Sequence, residues 1–272
     1  MRAGTARIAL ERGFVLLALL FFLAPVVWLF STAYKPAREV FGYPPTLAFT
    51  PTLDNFRTIA VYFDLPQLVE SSLTISLGAT GLALLLGVPA GYALARAASR
   101  LAMGAAYFFL AVRMVPPVAT LIPFYLLARD AGILGTHLAV ILIHAMLSTT
   151  FVTWLMFGWF RAVPREMEEA ALVDGCSRLG AFLKIALPLA RPGIAAAALL
   201  ALMLSWNDFI FAAFLTSANT KTLSVALLSA YGTRDITWGT MGALAHLSTL
   251  PIVLLALFLN RYLVQGLTRG LH

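Results

Sequence analysis

Apolar residues gather along this chain into six stretches of about 20 residues, at 14–33, 71–95, 104–128, 138–160, 193–215 and 240–260. A helix rises about 1.5 Å per residue, so each stretch is long enough to cross a hydrocarbon layer about 30 Å thick. A segment in lipid must satisfy its own backbone, and runs of this length exceed what a barrel strand uses, so the pattern predicts helices. Four stretches carry no Asp, Glu, Lys or Arg, while the third contains Arg113 and the fifth Asp208. Pro25, Pro89, Pro116, Pro117, Pro123 and Pro251 lie within or near these stretches and predict kinked or broken helices. The expectation is an all-α, polytopic membrane protein with six transmembrane helices, residues 1–272 forming a single transmembrane domain.

Composition agrees with the pattern. Hydrophobic residues make up 61% of the chain and charged residues only 11%, against about 25% charged in a soluble domain. The net charge of +7 would suit a nucleic-acid partner, but its distribution points to membrane topology instead. The termini and alternate loops carry Arg2, Arg7, Arg12, Arg96, Arg100, Arg161, Arg165, Arg178, Lys184, Arg191, Arg261 and Arg269, twelve in all. The opposite side carries six: Lys35, Arg38, Arg57, Arg129, Lys221 and Arg234. The twofold bias predicts that both termini and the loop at 161–192 are cytoplasmic. Arg2, Arg7 and Arg12 before an apolar run, with Ser31-Thr32-Ala33 after it, also have the form of a signal peptide. The run is longer than the usual apolar core of about 7–15 residues, which favours an uncleaved first span.

Two connections are long. Between residues 34 and 70, Pro36, Pro44, Pro45 and Pro51 oppose a long helix, while Thr52-Leu53-Asp54-Asn55-Phe56 begins a short one. The loop at 161–192 reads as two short helices outside the membrane. Pro164 suits an early helical position, and Glu166, Glu168 and Glu169 suit the positive end of a helix dipole. Met167, Ala170 and Ala171 form a compact apolar face, and Asp174-Gly175 stops the helix. Ser177 caps a second helix from Arg178 to about Ala186, which Pro188 ends. Such a pair either lies on the lipid surface or fits a groove on another protein.

The order of residues favours the groove. Glu169-Ala170-Ala171, three residues, Gly175, nine residues, Ile185, one residue and Leu187-Pro188 resemble the EAA loop of ATP-binding-cassette import permeases. Arg113-Met114-Val115-Pro116-Pro117 with Ile122-Pro123, Ser205-Trp206-Asn207-Asp208-Phe209, and Arg261 to Thr268 resemble the carbohydrate-importing branch of that family, of the maltose, trehalose and glycerol-phosphate type. The resemblance implies the type I permease fold and a permease subunit in the inner membrane. It also implies a second permease subunit as heterodimer partner, two ATPase subunits that carry ATP and Mg, an extracytoplasmic sugar-binding protein and a sugar substrate. Glu169, Ala170, Ala171, Asp174, Gly175, Ile185, Leu187 and Pro188 would then contact the ATPase.

Arg113 and Asp208 are costly at membrane depth, by about 2.5–3.5 kcal/mol each, so neither should face lipid. They line a pathway with Tyr125, Trp206 and Asn207 as polar neighbours, or they serve helix packing or gating. His144 and His246 read as hydrogen-bonded packing residues, and the glycines from Gly78 to Gly91 as sites of close helix approach. The single cysteine, Cys176, excludes an internal disulfide and a cysteine metal cluster. No nucleotide-binding loop, H-E-x-x-H or paired nucleophile and base is present, so the sequence predicts no catalysis, metal or cofactor on this chain. An importer for a non-sugar solute and a secondary transporter are the alternatives, the latter offered only two intramembrane charges and no clear internal repeat.

Overall fold

A computed structural model of the chain describes residues 2–40, 42–44, 46–97, 99–231 and 237–269, with side chains described between residues 10 and 257. Within them run α1 (Arg2–Ala33), α2 (Ala37–Val40), α3 (Asp54–Tyr62), α4 (Leu65–Ala97), α5 (Arg100–Val112), α6 (Pro117–Asp130) and α7 (His137–Ala162). They are followed by α8 (Glu166–Val173), α9 (Arg178–Ala181), a π-helical turn (Phe182–Ala186), α10 (Leu187–Leu189), α11 (Arg191–Trp206), α12 (Ile210–Leu215), α13 (Leu223–Ser229) and α14 (Trp238–Arg269). Among the described residues, four helical stretches are long and apolar enough to cross a membrane: Leu10–Ala33, Leu65–Ala97, His137–Ala162 and Trp238–Leu257. Counting each of two bent helix pairs, Arg100–Val112 with Pro117–Asp130 and Arg178–Leu189 with Arg191–Trp206, as one span gives up to six.

Two expected spans are broken. The third is α5 and α6, which meet at 91°. Pro116 and Pro117 cause this break: neither has an N–H to continue α5, and a residue before proline avoids the α region, while Pro117 suits the first position of α6. The fifth is not one helix to Leu215, because α11 ends at Trp206 and a separate α12 starts at Ile210. Pro25, Pro89, Pro123 and Pro251 are accommodated inside helices.

The fold forms two compact units, one of Met1–Leu65 with Ala226–Leu250, the other of Pro66–Val225 with Pro251–His272. In the first, Ala33, Ile59, Ala230, Ala243 and Leu244 make a small core beneath Tyr34 and Phe56. The predicted helix after Thr52 is α3. Its buried Asn55 donates to the carbonyls of Ala33 and Lys35, both at 2.9 Å, which fixes the chain leaving α1. His246 packs against the rings of Phe30, Tyr34 and Phe56. Of the most apolar stretch of α1, none is buried against the rest of the chain, the condition of a helix whose solvent is lipid.

The second unit packs α4, α7 and α11 through small residues. Ala83, Val88 and Ala95 of α4 meet Val152, Met156 and Phe160 of α7 and Ala197 and Ala201 of α11. Glycines bring α4 onto α7: a methyl group on Gly91 would lie 2.7 Å from Met156 Cβ and 2.9 Å from the Thr153 carbonyl. Gly78 and Gly87 face Ile141 and Val152 in the same way, whereas Gly81 faces open space. Without side chains in the way, backbones approach closely and dispersion contacts accumulate.

Candidate functional site

The loop between α7 and α11 folds as two short helices. α8 carries Glu166, Glu168 and Glu169 in its first turn. Its end is a Schellman turn: Gly175 N–H donates to Leu172 O at 3.1 Å and Cys176 N–H to Ala171 O at 2.9 Å. Gly175 stands at φ +90°, a region costly to any residue with a Cβ. Asp174 is the last, exposed residue before that turn. Ser177 caps the second helix as expected, its hydroxyl accepting from Gly180 N–H at 3.1 Å.

The apolar face read from the sequence divides in two. Met167, Glu169 and Ala170 are exposed, while Ala171 is turned inward and buried with Glu168. Consecutive helical residues point about 100° apart, and α8 is turned so that Ala171 faces inward and Ala170 outward. Beyond Ala181 the helix does not stop at Pro188. It widens into the π-turn, where Leu187 N–H reaches back to Phe182 O, and continues to Leu189. Pro188 supplies no N–H for the Lys184 carbonyl, and the wider turn relieves the clash its ring would otherwise make. Ile185, Leu187 and Pro188 are half-buried; Leu187 packs on the α4–α7–α11 core, and it lines with Pro188, Gly81, Leu85 and Arg191 an apolar cleft of about 600 Å³.

Glu168 is the centre of a polar joint that the sequence did not single out. Its Oε2 accepts from Tyr92 Oη at 2.6 Å, and its Oε1 accepts from Arg96 Nε at 3.0 Å and from Arg96 Nη2. Arg96 also donates to Phe160 O at 2.8 Å and Val163 O at 3.3 Å, and Arg165 donates to Ala95 O at 3.1 Å. Guanidinium groups thus bond the Ala95 carbonyl in the last turn of α4 and the Phe160 and Val163 carbonyls at the end of α7, where helices run out of backbone donors.

The intramembrane candidates separate. Asp208 Oδ2 accepts from the N–H groups of Phe211 at 3.0 Å and Ala212 at 3.2 Å, which starts α12 and explains the break in the fifth span. The same oxygen lies 3.1 Å from His144 Nε2, although that ring nitrogen does not make a hydrogen bond of good geometry. His144 Nδ1 is 2.7 Å from Ser205 Oγ. Arg113 does not pair with Asp208; its guanidinium lies 5.2 Å from the centre of the Phe151 ring. Trp206 is buried, Tyr125 is half-buried against the core of Leu121, Ala139 and Phe211, and Asn207 is exposed, with its amide on Met203 O at 2.9 Å.

Residues 83–269, which include α8, the π-turn and the Asp208 break, match the family described as binding-protein-dependent transport system inner membrane component. The chain belongs to this family and is a multi-pass transport component of the inner membrane, not an enzyme. It is 33% identical over 251 residues to the probable ABC transporter permease protein y4oR of Sinorhizobium fredii, covering 92% of this chain and 90% of that protein. It is 31% identical over 248 residues to the diacetylchitobiose uptake system permease protein DasC of Streptomyces coelicolor, with 90% of each covered. A chain in the crystal structure of a bacterial ABC transporter involved in the import of the acidic polysaccharide alginate superposes with a TM-score of 0.79 at 22% identity, covering 96% of this chain and 98% of that one. The expected all-α type I permease fold is therefore observed.

Proposed function

We propose that this chain forms half of the translocation pathway of an ATP-driven sugar importer and engages its ATPase through α8 and the turn that follows. The observation that carries this reading is the outward edge of α8. Glu169 and Ala170 are exposed on a short helix held by its buried side and ended by a glycine turn. A small residue beside a carboxylate suits close insertion into a groove on another protein. Sugar as the substrate is supported by the relative named for diacetylchitobiose uptake and the neighbour named for alginate import. The partners are a second permease subunit, two ATPase subunits holding ATP and Mg, and an extracytoplasmic sugar-binding protein; no cofactor sits on this chain. The distribution of basic residues supports a cytoplasmic position for both termini and the α8 loop. Asn207 and Arg113 face the pathway, and Asp208 shapes it by starting α12.

The test is Ala170→Trp in the assembled transporter. Overpacking a fitted contact costs about 1–3 kcal/mol, so the ATPase should no longer co-purify although insertion is unchanged. Normal co-purification and normal ATP-driven uptake would remove α8 as the contact.

A further inference from the structure

The structure points to a joint that carries motion of α8 into a membrane span, and we propose Glu168 as its positioning residue. This inference rests on the α8 loop being the ATPase contact. α8 has eight residues, too few to be stable alone, and no side chain caps its start. Tertiary contacts must therefore set its attitude. The polar ones come from one place: Tyr92 and Arg96, in the last turns of α4, grip the carboxylate of Glu168, and the side chains of this ion pair are only 15% and 8% exposed.

Apolar contacts are non-directional and allow sliding. Charge-assisted hydrogen bonds fix angle as well as distance. Two donors on Glu168 Oε1 and one on Oε2 leave the carboxylate little freedom to turn. Arg96 simultaneously holds the Phe160 and Val163 carbonyls, and Arg165 at the start of α8 holds Ala95 O. The cytoplasm-directed ends of α4 and α7 and the whole of α8 are thereby one body. A push on the exposed Glu169 and Ala170 is delivered to α4 through Glu168, which no polar side-chain contact at the glycine-turn end of the helix duplicates among the described residues. Glu169 and Glu168 divide the work: the outward carboxylate meets the partner, and the inward one transmits.

The experiment uses the complete purified transporter. Cys176 is the only cysteine of this chain, so Cys176→Ser, with the cysteines of the partner subunits likewise replaced, gives a background for one reporter thiol, Gly81→Cys, at a position of α4 where an added side chain meets nothing within 4 Å. A polarity-sensitive fluorophore on that thiol reads α4 when ATP–Mg with orthovanadate is added. The parent should change its emission. Glu168→Gln should reduce that change by roughly 2- to 30-fold, the range of couplings along a connecting network. It should retain the ATPase on purification and basal ATP hydrolysis. Tyr92→Phe, which removes one bond and keeps the ion pair, should give a smaller loss and decides the matter if Glu168→Gln fails to insert. An unchanged response in both variants, release of the ATPase by both, or a parent that shows no nucleotide-dependent change would each overturn the proposal. Ala170→Trp separates the two readings: if it still binds the ATPase, the docking assignment fails whatever Glu168 does.

Discussion

Asp208 and His144 meet where the fifth span breaks: one carboxylate oxygen lies 3.1 Å from the imidazole Nε2 and also accepts the first free N–H groups of α12. A residue that composition marks as an isolated membrane charge is thus built into the backbone of the break. The other end of the imidazole is held by Ser205 of α11, so the two halves of the broken span share one buried side chain.

Asp208→Ala should therefore cost about 0.5–2 kcal/mol through loss of the cap and lower transport through misplacement of α12. Asp208→Asn, which still accepts from N–H groups, should keep most of both. Thermal unfolding in detergent alongside uptake distinguishes them, and equal loss in the two variants would show that charge rather than capping matters.

Gly91→Val forces a branched side chain onto Met156 and the Thr153 carbonyl. Overpacking of this kind costs about 1–3 kcal/mol, and backbone atoms in the contact put the result at the upper end. Gly81→Ala lies ten residues earlier on the same helix and meets nothing within 4 Å. It should be neutral or stabilising, by up to about 1 kcal/mol of helix propensity. Melting temperatures of the two variants should move in opposite directions or differ clearly in size.

Gly175→Val should leave insertion intact and reduce ATP-driven uptake. The cost of holding a side chain at φ +90° is about 1–3 kcal/mol. The second helix of the loop can escape that strain by swinging away. Open space around Gly175 means that no steric collision contributes, so Gly175→Asn, which tolerates this conformation better, should recover part of the activity in the same uptake assay.

A reporter enzyme active only outside the cytoplasm, fused after Gly180, should be silent. The same reporter placed after Arg57 should be active. Activity at the first position would reverse the orientation drawn from the basic residues.

The four long apolar helices were legible because length and hydrophobicity suffice to mark them, and Pro116-Pro117 announced the break in the third stretch. The glycine turn at Gly175 and the cap at Ser177 were legible because each depends on a local backbone rule. Two features were not. The separation of α11 from α12 depends on a carboxylate choosing backbone N–H groups as partners, which looks in sequence like any intramembrane charge. The Tyr92–Arg96–Glu168 joint unites residues 72 and 76 positions apart; Arg96 registered only as a topological charge and Glu168 only as a helix-dipole charge. A buried guanidinium near a span end together with an acidic loop helix is the signal that joins them, and only packing says which glutamate of Glu166, Glu168 and Glu169 faces inward.

The π-turn at Phe182–Ala186 gives this segment one residue of slack without turning its face. Such a turn holds one residue more than the α-helical turn it replaces, and one residue corresponds to about 100° around a helix axis. Deleting Leu183 would restore ordinary α-helical hydrogen bonding and shorten the segment by only about 1.5 Å. Phe182 and Leu187 would still be joined across one turn, by an i to i−4 bond in place of the present i to i−5 bond, so Phe182 would keep its face toward the rings of Tyr92 and Phe160 that it now touches. A one-residue deletion here should be less damaging than the same deletion in a regular helical turn, where the residues on either side would roll by about 100° relative to each other.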